Sequence, residues 1–265
     1  MTISERQERI LELLGQKPKI SVSEMSAILY VSEPTVRRDL TELDAKGLVH
    51  KVYGGAVLPD GAETLIPFVF RENEKSAAKT AMGRQAAELV EDGMVVLLDG
   101  STSAFHLVPF LAGKKELTVV TSGAKTALAL AEAGLCNYCT GGKMLNNSYS
   151  YVGAQAERFV CDVNADIVFF SCRGLSEDGK VSDPSVEEVN LRRVMMEHSA
   201  KKYLLCDRSK FGKTYFYNLC RAEELDGVIS DGENPALTDA SVGAERGKQG
   251  VPVIREPLVK DRVQE

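Results

Sequence analysis

The sequence predicts two folded units. The first is an N-terminal α+β winged helix-turn-helix, and the second is a C-terminal α/β domain with a mainly parallel sheet. Three observations predict them. Residues 1–57 contain short capped helical segments joined by a tight turn, then an alternating apolar stretch. From about residue 73, apolar runs of strand length alternate with helical segments. Between the two, Leu58-Pro59-Asp60-Gly61 through Pro67 is rich in residues that interrupt regular structure. The boundaries read as a module at 1–57, a linker at 58–72, an α/β domain at 73–232 and a partly flexible C-terminal extension at 233–265.

In the module, Ser4 or Thr2 can cap a first helix whose apolar stripe is Ile10, Leu11 and Leu14, ended by Gly15 and Pro18. Ile20 and Val22 are extended. Ser23 caps a second helix containing Met25, Ala27, Ile28 and Leu29, and Tyr30-Val31 make the turn. Ser32 caps a third helix. Pro34 stands in its first turn, where a missing N–H costs little, and the helix runs through Val36, Leu40 and Leu43 to near Gly47. Leu48 to Tyr53 alternates and turns at Gly54-Gly55, as a β-wing would.

Two helices joined this way lay the second one in the major groove of double-stranded DNA, with its N-terminal residues at the base edges. The candidate contacts are Ser32, Glu33, Pro34, Thr35, Arg37 and Arg38, with Lys51 and Tyr53 on the wing. The plainer reading of Arg37-Arg38 is a solvated face paired with Asp39 or Glu42. Charge does not decide between them. The chain carries a net −6, and residues 1–57 hold eight Lys/Arg against eight Asp/Glu. Such modules act on paired half-sites, which implies a homodimer or homotetramer.

In the larger domain, Ala77, Ala81, Ala86, Ala87, Leu89 and Val90 form one helix face. Met94–Leu98, Leu117–Val120, Asn137–Thr140, Ile167–Ser171, Tyr203–Cys206 and Val228–Ile229 read as buried strands. Ligands of such sheets bind at the strands' carboxyl ends. The residues there are Asp99-Gly100-Ser101-Thr102, Thr121-Ser122-Gly123, Gly141-Gly142-Lys143, Cys172-Arg173-Gly174 and Asp207-Arg208-Ser209-Lys210. Glycine lets backbone N–H groups approach an anion, and Lys210, Arg173 or Lys143 can supply the countercharge. Taken singly, each is also an ordinary βα turn. Together they favour a small polar or phosphorylated ligand.

The two halves together resemble the DeoR family of bacterial transcription regulators over residues 3–232. The first half carries RQERILELL, VSEPTVRRDLTELDAKG and YGGA. The second carries KTAMGRQAAELVEDG, VVLLDGSTSAFHL, LTVVTSG, TGGKML, VGAQAE, ADIVFFSCRG, EEVNLRRVM and CDRSKFG. The resemblance implies a sensor domain with the fold of ribose-5-phosphate isomerase and glucosamine-6-phosphate deaminase. It also implies repression of carbohydrate-catabolic genes, with a phosphorylated sugar or related metabolite as inducer. Carried over by position, the effector residues are Asp99, Gly100, Ser101, Thr102, Thr121, Ser122, Gly141, Gly142, Gly174, Glu188 and Lys210. The chain departs from the family pattern at Ser122-Gly123, where Asn is usual, and at Arg173, where a small residue is usual. Lys51 and Tyr53 replace the wing's usual Arg and His.

The rival reading is a sugar-phosphate isomerase or deaminase with a DNA-binding appendage. Its acid–base groups would be Asp99, Glu188, Lys210 and His106, though His106 reads as structural. No catalytic activity, metal or cofactor is expected. The six cysteines include one CxxC, Cys136 and Cys139, without the second pair or matched histidines of a zinc site. No apolar run reaches the roughly 18–20 residues of a membrane span, and the N-terminus has no signal-peptide core, so a cytoplasmic location is expected.

Overall fold

The computed structural model describes residues 3–17, 19–45, 48–57, 68–231 and 253–254. The chain divides into two units, residues 1–71 and 72–265.

The first unit runs α1 (Ile3–Gln16), β1 (Lys19–Ser21), α2 (Val22–Leu29), α3 (Glu33–Ala45), β2 (His50–Val52) and β3 (Gly55–Val57). Ile10, Leu11 and Leu14 of α1 are buried with Val22, Met25 and Leu29 of α2 and Val36, Leu40 and Leu43 of α3 in one core. The strands form an antiparallel sheet in the order β1-β3-β2. Gly55 makes that sheet possible. A Cβ there would lie 2.1 Å from the carbonyl oxygen of Ile20, inside the strand it pairs with.

Local details differ from the sequence reading. Ser4 lies within α1, which continues through Gly15 to Gln16, while Thr2, Pro18 and Gly47 are outside the described residues. The cap of α2 is Ser21, not Ser23. Its backbone is extended and its Oγ accepts from the Glu24 amide at 3.1 Å, so Val22 is helical. Tyr30 makes the turn with a left-handed φ of 53°, and its amide closes onto the Ser26 carbonyl.

A short helix, α4 (Phe68–Asn73), stands where linker was expected; residues 58–67 lie outside the described residues. The second unit continues with α5 (Ser76–Glu88), β4 (Val95–Leu98), α6 (Thr102–Phe105), α7 (Val108–Leu111), β5 (Thr118–Thr121), α8 (Ala124–Glu132) and β6 (Cys136–Cys139). A hairpin of β7 (Lys143–Leu145) and β8 (Ser150–Val152) follows, then α9 (Ala154–Cys161), β9 (Ala165–Ser171), β10 (Gly174–Leu175), β11 (Lys180–Asp183) and α10 (Val186–Glu197). The last elements are β12 (Ser199–Leu205), β13 (Tyr217–Arg221), β14 (Gly227–Ile229) and β15 (Val253–Ile254).

Among the described residues, seven of these strands form one parallel sheet in the order β15-β14-β12-β9-β4-β5-β6. The chain begins in the middle at β4, winds outward through β5 and β6, then returns to β9 on the other side and winds the opposite way. The winding reverses between β4 and β9, and in open α/β sheets ligands bind outside the carboxyl ends of the strands at such a point.

Both faces of the sheet are covered. Val96, Leu98, Ile167 and Phe169 pack with Met82, Leu107 and Leu111 on one face. Leu97, Val168 and Phe170 pack with Val160, Val189 and Met195 from α9 and α10 on the other. An antiparallel sheet, β10-β11-β13, adds Leu175, Val181 and Leu219 to that second core. Double burial is why these strands read as unbroken apolar runs rather than alternating ones.

β6 departs from the expectation of a buried strand. It is an edge strand with Cys136 and Tyr138 exposed. Extended backbone also places Cys136 and Cys139 about 10 Å apart on opposite faces, so this CxxC cannot close on one ion. The buried face of α5 and its exit is Met82, Ala86, Ala87 and Val90, whereas Ala77 is exposed. No helix among the described residues is long and apolar enough to cross a membrane.

Replacing Gly55 with Ala forces a methyl into the β1 backbone. The first unit should lose about 1–3 kcal/mol, read as a lower urea midpoint; an unchanged midpoint would contradict the pairing described.

Candidate functional site

Two clusters are candidates for function, one in each unit. In the first unit the buried side of α3 is Val36, Asp39, Leu40 and Leu43. Asp39 is wholly buried and takes two hydrogen bonds from Arg6 of α1, Nε to Oδ2 and Nη2 to Oδ1, the second at 2.9 Å. That hydrogen bond raises the Arg6 pKa despite the opposing effect of burial. Gln7 donates to Glu42 at 2.6 Å. Asp39 and Glu42 therefore fasten α3 to α1, and neither balances Arg37 or Arg38. Arg37 pairs instead with Glu33 one turn back at 3.1 Å, and Arg38 is exposed without a partner among the described residues.

The rest of this surface is ordered around α3. Ser32 Oγ lies 2.9 Å from Thr35 Oγ1 at the start of the helix, beside exposed Pro34. Lys51 on β2 is tied to α3 twice: its amide donates to Asp44 at 3.2 Å and its Nζ donates to Thr41 Oγ1 at 3.2 Å. Tyr53 stands fully exposed on the wing turn. The sequence reading placed Tyr30 in the turn between α2 and α3 but not among the DNA contacts; it is nearly as exposed.

In the second unit the loops that follow β4, β5, β6, β9 and β12 lie on one edge, because those strands are parallel. Asp99 ends β4 and is buried. Its Oδ1 accepts from the Ser101 amide at 3.1 Å; its Oδ2 accepts from the Ser171 amide at 3.1 Å and from Arg192 Nε at 2.8 Å. Arg192 of α10 also donates to Asp183 at 2.9 Å and lies 3.8 Å from Glu188. Burial opposes the guanidinium's charge, but Asp183, Asp99 and Glu188 outweigh it and raise its pKa.

Ser101 caps α6 by accepting from the Ala104 amide at 3.1 Å, with Thr102 and Ser103 buried beside it. Thr121 Oγ1 accepts from the Gly123 amide at 3.0 Å, and Ser122 Oγ lies 3.5 Å from Ser150 Oγ on the hairpin. The glycines are steric requirements here. A Cβ on Gly100 would lie 2.3 Å from Ser150 Oγ. One on Gly142, at φ +110°, would lie 2.7 Å from the Val152 carbonyl. Gly141 also has positive φ, and Gly174 packs against the Lys213 carbonyl.

Lys210 ends a single 3-10 turn after β12. Its Nζ donates to Ser171 Oγ at 2.8 Å and lies 3.4 Å from Asp207. Burial would raise the Asp207 pKa, but Lys210, Ser209 and Lys75 hold it at about 2, so this carboxylate is charged. Arg173 is half-buried after β9, with its amide on the Ser182 carbonyl. Lys143 is exposed at the start of β7 and pairs with Glu187 at 2.9 Å.

Residues 6–62 match the model of the DeoR-like helix-turn-helix domain, and residues 74–232 match that of the DeoR C-terminal sensor domain. The chain belongs to the DeoR family. It is 35% identical to the HTH-type transcriptional regulator GolR of Listeria innocua, over 88% of this chain and 92% of that protein. It is 30% identical to a lactose phosphotransferase system repressor of Staphylococcus epidermidis, over 86% of this chain and 91% of that one. The solved ribose 5-phosphate isomerase A of Methanocaldococcus jannaschii is similar at a TM-score of 0.40 and 13% identity, covering 51% of this chain and 54% of that chain.

The strand-end loops thus place Asp99 to Thr102, Thr121, Ser122, Gly141, Gly142, Arg173, Gly174 and Lys210 along one edge of the sheet. Glu188 sits in the first turn of α10, its amide on the Ser185 cap at 3.3 Å. Sequence reasoning missed Arg192, Asp183 and Ser171, which hold the first and last of these residues in place. The only signal available was the charge pattern in EEVNLRRVM, which does not identify its partners. Arg192→Met would leave Asp99 and Asp183 buried without their counterion. It should cost about 3–5 kcal/mol of folding free energy, seen as a lower midpoint in chemical denaturation, and an unaltered midpoint would contradict the assignment.

Proposed function

We propose that this DeoR-family chain is a cytoplasmic repressor of carbohydrate-catabolic genes that binds double-stranded operator DNA as a homodimer or homotetramer. A phosphorylated sugar or related metabolite controls that binding. One observation carries the effector reading: Lys210, the glycine-bearing loops and the small hydroxyl residues gather on one edge, beside the point where the winding reverses. The effector residues are Gly100, Ser101, Thr102, Thr121, Ser122, Gly141, Gly142, Lys143, Arg173, Gly174, Glu188 and Lys210. Asp99 serves the same site by shaping its loop, since three donors already occupy its oxygens. The similarity to a lactose phosphotransferase system repressor supports the same reading.

Ser32, Glu33, Pro34, Thr35, Arg37 and Arg38 contact the groove, with Lys51 and Tyr53 at the DNA backbone. The exposure of Arg38 and the fastening of the opposite face of α3 to α1 support this. The engagement of the acid–base candidates supports sensing rather than catalysis. Asp99 is bound to Arg192, and both ring nitrogens of His106 are in hydrogen bonds, to Thr80 and to the Glu72 carbonyl.

A gel-shift titration with ribose 5-phosphate, fructose 1-phosphate, fructose 6-phosphate and glucosamine 6-phosphate tests the effector. At least one should change operator affinity about 5–150-fold, and no response to any of them would overturn the effector reading. Conversion of any of these compounds by the purified protein would overturn the non-enzymatic one. Alanine at Arg37 or Arg38 should cost about 1–3 kcal/mol of operator binding. The loss should be sequence-selective if that residue reads a base, and uniform with a shallower salt slope if it contacts phosphate. Unchanged binding in both variants would refute the groove assignment.

A further inference from the structure

Glu72 is the first residue of the second unit and lies within α4. Two side chains of that unit converge on it from different loops. His106, immediately after α6, places Nε2 3.1 Å from the Glu72 carbonyl oxygen. Lys125, the second residue of α8, places Nζ 2.9 Å from the Glu72 carboxylate. The carbonyl can only accept, so Nε2 carries the imidazole proton and Nδ1 accepts from Thr80 Oγ1 at 3.1 Å. Burial lowers the His106 pKa, in keeping with this neutral tautomer.

The origin of these two residues matters. α6 begins at the Ser101 cap of the loop after β4, and α8 begins directly after Thr121-Ser122-Gly123. Each grip on Glu72 is thus within one helical turn or so of a strand-end loop proposed to hold the effector. The His106 end is also fixed from α5, where a Cβ on Gly83 would lie 2.4 Å from the His106 carbonyl oxygen.

We propose that Glu72 is the relay between effector and DNA binding: the loops after β4 and β5 hold, through His106 and Lys125, the residue by which the chain passes to the DNA-binding unit. This rests on the effector reading of those loops. A ligand that repositions the starts of α6 and α8 changes both grips at once, and with them α4. The element has two arrangements, gripped and released, and the effector favours one of them. Glu72, His106 and Lys125 are positioning residues in this scheme and touch neither ligand nor DNA.

The test uses the full chain and operator fragments selected from random-sequence DNA by the wild-type protein. The readout is the ratio of operator Kd with and without the most effective of the four sugar phosphates named above. E72A and K125M should bring that ratio to within about twofold of 1, from the roughly 5–150-fold typical of allosteric coupling. Sugar-phosphate affinity by calorimetry and ligand-free operator affinity should stay within about twofold of wild type. The charge swap Glu72→Lys with Lys125→Glu should restore the ratio, and H106F probes the other grip. A wild-type ratio retained in E72A and K125M overturns the relay while leaving the effector reading standing. So does a parallel loss of ligand binding, DNA binding and thermal midpoint, which marks a merely structural role. A wild-type protein indifferent to all four sugar phosphates overturns the effector reading and the relay with it.

Discussion

Arg192 lies buried with its guanidinium shared between Asp99, at the end of the central strand β4, and Asp183, at the end of β11 in the smaller sheet. Three parts of the second unit, the parallel sheet, the antiparallel sheet and α10, meet on this one charge. A buried cation is tolerable only when paired and hydrogen-bonded, and these carboxylates are buried too, so no member of the set is replaceable alone. The consequence is positional. Asp99 is pinned, the Ser101 amide follows it, and Ser101 caps α6. The same carboxylate receives the Ser171 amide, and Ser171 receives Lys210. The proposed effector site at the strand ends therefore begins from a fixed arrangement of donors rather than from mobile loops.

The first unit solves a smaller version of the same problem. A module of this size has little core, and its recognition helix must present one face outward while the other is held. The held face combines Val36, Leu40 and Leu43 with the Arg6–Asp39 pair and the Gln7–Glu42 bond. Because Asp39 is committed inward, the adjacent Arg37 and Arg38 are left to the solvent side. The neutral balance of residues 1–57 thus conceals a directional charge distribution: some acidic groups serve the interior while the basic pair does not.

Much of this was readable from residues close in sequence. The turn at Tyr30, the inward faces of α3, the wing turn at Gly54 and the main strand runs follow from spacing over two to four positions. Errors arose where neighbouring residues compete. Ser21 and Ser23 are both good caps, and the choice fell to Ser21 because β1 pairs with β3 and holds it extended. Asn137–Thr140 reads as an interior strand, yet the strand that forms, Cys136–Cys139, lies at the sheet edge because the winding reverses after it.

What the sequence by itself determined is the local grammar: a helix-turn-helix with its outward Arg37-Arg38, an α/β alternation, and glycines or hydroxyls at the strand ends. Only the tertiary structure decided which charges meet. Arg192 and Asp99 are 93 residues apart, Arg6 and Asp39 are 33 apart, and Lys210 and Ser171 are 39 apart. A capping or helical pattern acts within a turn and leaves its mark in adjacent letters. Which of several carboxylates a buried guanidinium chooses depends on strand order and burial, and these exist only once the chain has closed on itself.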